Sequence, residues 1–340
     1  MHGTFVDLAR GSFSLLRQRL DDADTLLMNL SDPHLGHVGP QYLQAIHQSG
    51  VVETEAQDYQ ICDNVYVPFE WPNGFVNAIS YKSHRFSPVA FFMSRIHETL
   101  HAIAWANNPV LHASIFNNNT PVILCPRDWA TLFEMTEADV SAKTAWLGYM
   151  ASHHDYAFER DTGALPVSVT AYRDVLMLEG CPKKALTVCA QTAMQKNWGV
   201  DNRDGRAFSF AEFYHWLALR DYENMLAAYE RQGIKPVVVR LSDRDRESLG
   251  NSFGPNPFIA GTYKNAGFKW QEEDRIQALN ARLGIWDESA LPCFEDRLAS
   301  MGITPAQMLA NSKGGQQMGI VPAMALNTQQ LIQHPTHSYA

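Results

Sequence analysis

The chain has 340 residues, 46% of them hydrophobic and 19% charged, with 17 Phe, 12 Tyr and 8 Trp. That balance excludes a wholly disordered or collagen-like chain and supplies core material for one large domain or two ordinary ones. A formal net charge of −9 excludes the overall Lys/Arg excess that drives non-specific nucleic-acid binding.

The charge is uneven: residues 1–150 hold 8 Lys+Arg against 15 Asp+Glu, and residues 151–340 hold 19 against 21. Five cysteines (Cys62, Cys125, Cys181, Cys189, Cys293), odd in number and without a C-x-x-C pair, argue against a disulfide framework or a cysteine-rich zinc module. The first residues have neither the basic start nor the apolar run of a signal peptide, and no 18-residue apolar stretch occurs. The expectation is a soluble cytoplasmic protein with no membrane and no nucleic-acid partner.

In chain order, residues 5–30 carry an apolar stripe at helical spacing, and residues 31–40, with two Pro and two Gly, read as a loop. A short helix is expected near Tyr42–His47. Asn64–Trp71 and Phe75–Tyr81 are rich in β-branched and aromatic residues around Pro72-Asn73-Gly74, which predicts a β-hairpin. Pro68 would fit only an edge strand.

Phe91–Ala106 is apolar on most faces and predicts a buried helix that ends at Asn107-Asn108-Pro109. Residues 109–125 read as a connector. A long helix then starts near Pro126 and runs to about His153.

Further helices are expected at 168–180, 182–197, 210–232, 270–283 and 291–301, with another after Thr304. Ser209-x-x-Glu212 and Thr304-x-x-Gln307 are capping-box patterns. Pro236–Leu241 reads as a strand, Asp243–Glu247 as a solvated turn, and 250–268 as a loop. The expected organisation is an N-terminal helical segment (1–59), a core (60–155), a helical C-terminal region (156–310) and a polar tail (311–340).

Chemistry enters at His97-Glu98-Thr99-Leu100-His101, an H-E-x-x-H sequence. On a helix the two histidines share a face and can hold one metal ion. Glu98 lies one step round, placed to reach a metal-bound water rather than the metal, and so to act as general base and acid. A catalytic zinc needs a third protein ligand. Glu134 and Glu137, 33 and 36 residues beyond His101, share a face of the following helix, so either can serve. Asp139 falls about 200° round from Glu137 and suits a partner helix or a cation instead.

Residues Phe91–Leu147 resemble an uncharacterised bacterial metallopeptidase family. Its pattern is H-E-x-x-H-A, then a helix that opens with Pro and an acidic/aromatic pair and carries Glu-Ala-Asp-Ala. The chain has His97–Ala102, Pro126-Arg127-Asp128-Trp129 and Glu137-Ala138-Asp139, with Val140 where the pattern has Ala. The resemblance covers about 60 residues. It implies a zincin-like core, Glu137 as the third zinc ligand, and peptide-bond hydrolysis acting on a peptide or protein substrate.

Two other readings bear weighing. Glu98-x-x-His101 and Glu212-x-x-His215 are both E-x-x-H, as in di-iron carboxylate oxidases. Against that, Glu212 is wanted by a capping box and no Glu precedes residue 53. An inert binding or effector protein is the other alternative. Candidate oxyanion donors are His153, His154, Tyr149, Tyr214 and His215, among which spacing does not choose. The resulting expectation is a predominantly helical α+β protein with a zincin-like core and a short hairpin before the motif helix. Its metal ligands would be His97, His101 and Glu137, with Glu98 catalytic and Zn2+ as cofactor.

Overall fold

Helix α1 (Thr4–Met28) opens the chain and buries Leu16, Ala23 and Leu27 on one stripe. The computed structural model describes residues 4–33, 35–55, 64–71, 74–112, 121–154, 167–200, 207–258 and 263–313. The expected polar tail beyond 313, the centre of the 109–125 connector and the Pro72-Asn73 turn lie outside the described residues.

A tight antiparallel pair, β1 (Ser31–Asp32) and β2 (Gly36–His37), leads into α2 (Val38–Ser49). This helix is twice the expected length. It buries Val38, Tyr42 and Ile46 at four-residue intervals. Gly39 lets it close on α1: a Cβ there would lie 1.6 Å from the Leu27 carbonyl oxygen.

The expected hairpin forms as β4 (Asn64–Trp71) and β5 (Gly74–Tyr81), antiparallel with Pro68 opposite Asn77. Strand β3 (Val52–Glu55), absent from the sequence reading, joins β5 in parallel. Its four residues carry two Glu, too polar and too short for a period-2 signal. The sheet order is β3-β5-β4, so Pro68 does lie on an edge strand.

Helix α3 (Pro88–Asn107) is capped by the Ser87 side chain, which accepts from Ala90 N–H at 3.2 Å, and has Pro at its first turn. Strand β6 (Val122–Leu124) follows, and then α4 (Pro126–His154), which is buried along most of its length from Trp129 to Ala151. Helix α4 is the hub. Packed around it are α3, α5 (Val167–Glu179), α6 (Pro182–Gln195) and α7 (Phe210–Arg231).

A short pair, β7 (Asn197–Val200) with β8 (Ala207–Ser209), bridges α6 and α7. The Ser209/Glu212 capping box forms as expected. Strand β9 (Val237–Val239) pairs in parallel with β6.

Asp243–Ser248 is helix α8 rather than a solvated turn. Asp245 is buried and closes a second capping box on Ser242, and Arg246 reaches Asp128 at 2.7 Å. Of the charges that look solvated in sequence, Asp245 and Arg246 therefore serve as cap and cross-link, while Asp243 and Arg244 are exposed. Helices α9 (Trp270–Leu283), α10 (Phe294–Ser300) and α11 (Pro305–Lys313) complete a mostly helical α+β architecture with small sheets.

One hydrophobic cluster runs from Ala23 to Met308, so the described parts of residues 1–59, 60–155 and 156–310 share a core. Trp105, Trp129 and Trp146 are in it, whereas Trp270 and Trp286 are 69% and 93% exposed. Among the described residues, no helix is long and apolar enough to cross a membrane.

Candidate metal centre

The motif helix is fixed from behind. Arg95, two residues before His97, is 4% exposed and makes a two-point contact with Glu53 on β3, Nε to Oε1 at 2.8 Å and Nη2 to Oε2 at 3.0 Å. Its Nη1 also donates to Asp24 of α1 at 2.6 Å. Tyr42 of α2 donates its hydroxyl to the Ile96 carbonyl at 3.0 Å and lies 2.6 Å from Thr99 Oγ1. Three elements thus set the rotation of α3, and the opposite face turns His97 and His101 toward α4.

There they meet Glu137. His97 Nε2 is 3.1 Å from Glu137 Oε1, His101 Nε2 is 3.1 Å from Oε2, and the two Nε2 atoms are 3.3 Å apart. Donors about 2.0–2.2 Å from a tetrahedral zinc lie about 3.3 Å from one another, so these three side chains fit one ion. Among the described residues, they are the group of His, Cys, Asp or Glu whose ligand atoms converge in this way.

The carboxylate is sealed in at 3% exposure, while His97 and His101 keep 26% and 18%. The cluster is closed at Glu137 and partly exposed at the two imidazoles.

Burial alone would depress the His97 pKa. The charge and hydrogen bond of Glu137, with the charge of Glu98, outweigh it and lift His97 to about 9. Burial would raise Glu137, but the two imidazoles hold it well below the usual carboxylate range. A proton and a metal ion would compete for the same place between the carboxylate and the imidazoles. Glu98 is half-buried on the same helix, near enough for its charge to act on His97.

The other acids of α4 go elsewhere. Glu134, the alternative third ligand, accepts from His215 Nε2 at 2.8 Å, Tyr263 Oη at 2.9 Å and Ala266 N–H at 2.8 Å. Asp139 finds its cation in Lys143, with Nζ 2.7 Å away and both side chains buried. Lys143 also donates to the Gly250 carbonyl at 2.9 Å. Burial pushes Asp139 up and Lys143 down in pKa, each opposed by the other's charge.

Glu212 accepts from Ser209 N–H in its cap, and His215 lies between Glu134 and Glu272, so the second E-x-x-H pair is spent on other contacts. Of the candidate oxyanion donors, His215 is fully buried. Tyr149 and His153 meet edge to face. They begin three turns beyond Glu137, about 18 Å along the helix. Tyr214 packs against Phe210 and Phe213. For His154, at the last residue of α4, only the backbone is described.

No protein family, curated protein or solved structure matches the chain. The site therefore has to be read from its own chemistry. Glu53 and Tyr263 carry no sequence signal as site neighbours, because they reach Arg95 of the motif helix and Glu134 of the ligand helix only across long chain separations.

Proposed function

We propose that the chain is a zinc-dependent metallopeptidase with a zincin-like core of hairpin, motif helix and ligand helix. The observation that carries this reading is the convergence of His97, His101 and Glu137 from two packed helices, with separations that suit one tetrahedral ion and with both imidazoles partly exposed. His97, His101 and Glu137 would hold the ion. When bound, zinc supplies a Lewis acid that polarises a carbonyl and makes water a usable nucleophile near neutral pH.

Glu98 is the general base and acid. It takes a proton from the attacking water and returns it to the leaving amine, so the amide gains the elements of water and the carboxylate is regenerated. Two features support a peptide or protein substrate. One is the resemblance of Phe91–Leu147 to a metallopeptidase family. The other is edge strand β4, which packs beside α3 and, among the described residues, pairs with a strand on one side alone, so that its outer side can accept an extended chain.

The test is Glu98→Gln, which removes the base and keeps the ligands. It should retain one zinc per chain by elemental analysis while hydrolysis of a mixed peptide library falls at least about 100-fold. Undiminished hydrolysis in that variant rules the mechanism out. One zinc and no hydrolysis by the wild type would point to a metal-binding effector instead.

A further inference from the structure

Behind the metal triad lies a second row of charged side chains that the proposed reaction does not use. His215 on α7 is fully buried, with Nε2 2.8 Å from Glu134 Oε2 and Nδ1 3.3 Å from Glu272 Oε1. Nε2 is hydrogen-bonded to Glu134, while Nδ1 lies within ion-pair distance of Glu272 without a hydrogen bond to it, so the ring sits between two carboxylates that favour its protonated form. Phe268 packs on the ring at 4.4 Å, and the Arg127 guanidinium lies 5.3 Å over Phe268. Arg127 is held in turn by Glu273 and Glu288, each at 2.7 Å. The other oxygen of Glu134 accepts from Tyr263 and Ala266, and Glu272 caps α9 by accepting from Lys269 N–H at 2.5 Å.

Geometry connects this row to the metal centre. Glu134 and Glu137 are three residues apart on one helix, about 4.5 Å along its axis. A helical turn is stiff, so whatever fixes Glu134 fixes the turn that presents Glu137. On one side that turn is held by α3 through His97 and His101. On the other, the contacts are those of α7, α9 and the segment Tyr263–Phe268.

We propose that Glu134, His215 and Glu272 form a positioning unit for the metal centre, a buried histidine between two carboxylates that holds the Glu137 turn of α4 in place. The unit touches neither metal nor substrate, and its effect passes through Glu137. It rests on the reading of His97, His101 and Glu137 as a metal site, and not on the identity of the reaction.

The experiment compares the wild-type full chain with Glu134→Gln and Glu272→Gln. Each is near-isosteric, and Glu134→Gln keeps an acceptor for Tyr263 and Ala266. Zinc affinity is measured by competition with a chelating indicator, at a temperature where circular dichroism shows each variant folded. Cobalt(II) is then loaded as a spectroscopic probe.

The expected result is zinc binding about 10- to 100-fold weaker in Glu134→Gln, with a changed cobalt d–d spectrum although all three ligands are present. Glu272→Gln, which acts one step further out, should show a smaller loss. If Glu134→Gln fails to fold, Glu272→Gln carries the same two readouts. Folded variants with wild-type zinc affinity and cobalt spectrum overturn the positioning role and leave the metal site standing. A wild-type chain that binds neither metal overturns both.

Discussion

Metal uptake by this protein should expel a proton, and by an amount the cluster geometry sets. A ligating imidazole must be neutral, yet His97 sits 3.1 Å from Glu137 and is lifted to about 9 in the metal-free chain. Below that value zinc has to displace the His97 proton. Near pH 7.5 each zinc bound should release close to one proton from His97. The apparent association constant should fall about tenfold for each pH unit below 9, so about 100-fold between pH 9 and pH 7. The sign is definite: binding weakens as pH falls, because the proton and the metal compete for one place. Isothermal titration calorimetry in two buffers of different ionisation enthalpy counts the protons, and chelator competition across pH 7 to 8.5 gives the slope. Zinc binding with no proton release and a flat profile would refute the idea that the three side chains share a proton in the free protein.

Two further outcomes follow from buried charge. Lys143→Met leaves Asp139 buried without its cation and should destabilise the fold by about 3–5 kcal/mol, read as a lower urea midpoint. Adding Asp139→Asn should restore much of the loss, and a single variant within about 1 kcal/mol of wild type would contradict the pairing. His215 makes stability depend on alkaline pH. Burial alone would lower its pKa, but Glu134 and Glu272 hold it at about 9 against 6.5 for the free side chain. That stabilisation, about 3 kcal/mol, is complete below pH 6.5 and is lost as pH rises through 9. Urea unfolding of the zinc-loaded wild type and His215→Gln at pH 6 and pH 10 should show a larger alkaline loss in the wild type; equal losses would show that His215 is not charged in the folded protein.

Local sequence determined a good deal by itself. The β-branched and aromatic residues of 64–71 and 75–81 on either side of Pro72-Asn73-Gly74 specify the hairpin, because such side chains suit a pleated strand and the turn residues break it between them. Pro88 and Ser87 start α3, and Pro126 starts α4, for stereochemical reasons that need no tertiary partner. The i, i+4 spacing of His97 and His101 places both imidazoles on one face, which is a property of the helix alone. Elements built by distant pairing were illegible. Strands β3 and β6 are short runs that become strands only because β5 and β9 arrive beside them.

The choice between Glu134 and Glu137 belongs to the same class. Both carboxylates lie on one helix three residues apart, and local rules treat them alike. The tertiary structure separates them, because α3 presents two histidines to Glu137 while α7 and the segment at Tyr263–Phe268 claim Glu134. Periodicity decides which face of a helix a side chain occupies. Only the packing of other helices against that face decides whether a buried carboxylate meets two imidazoles that can share a metal or one that it must neutralise.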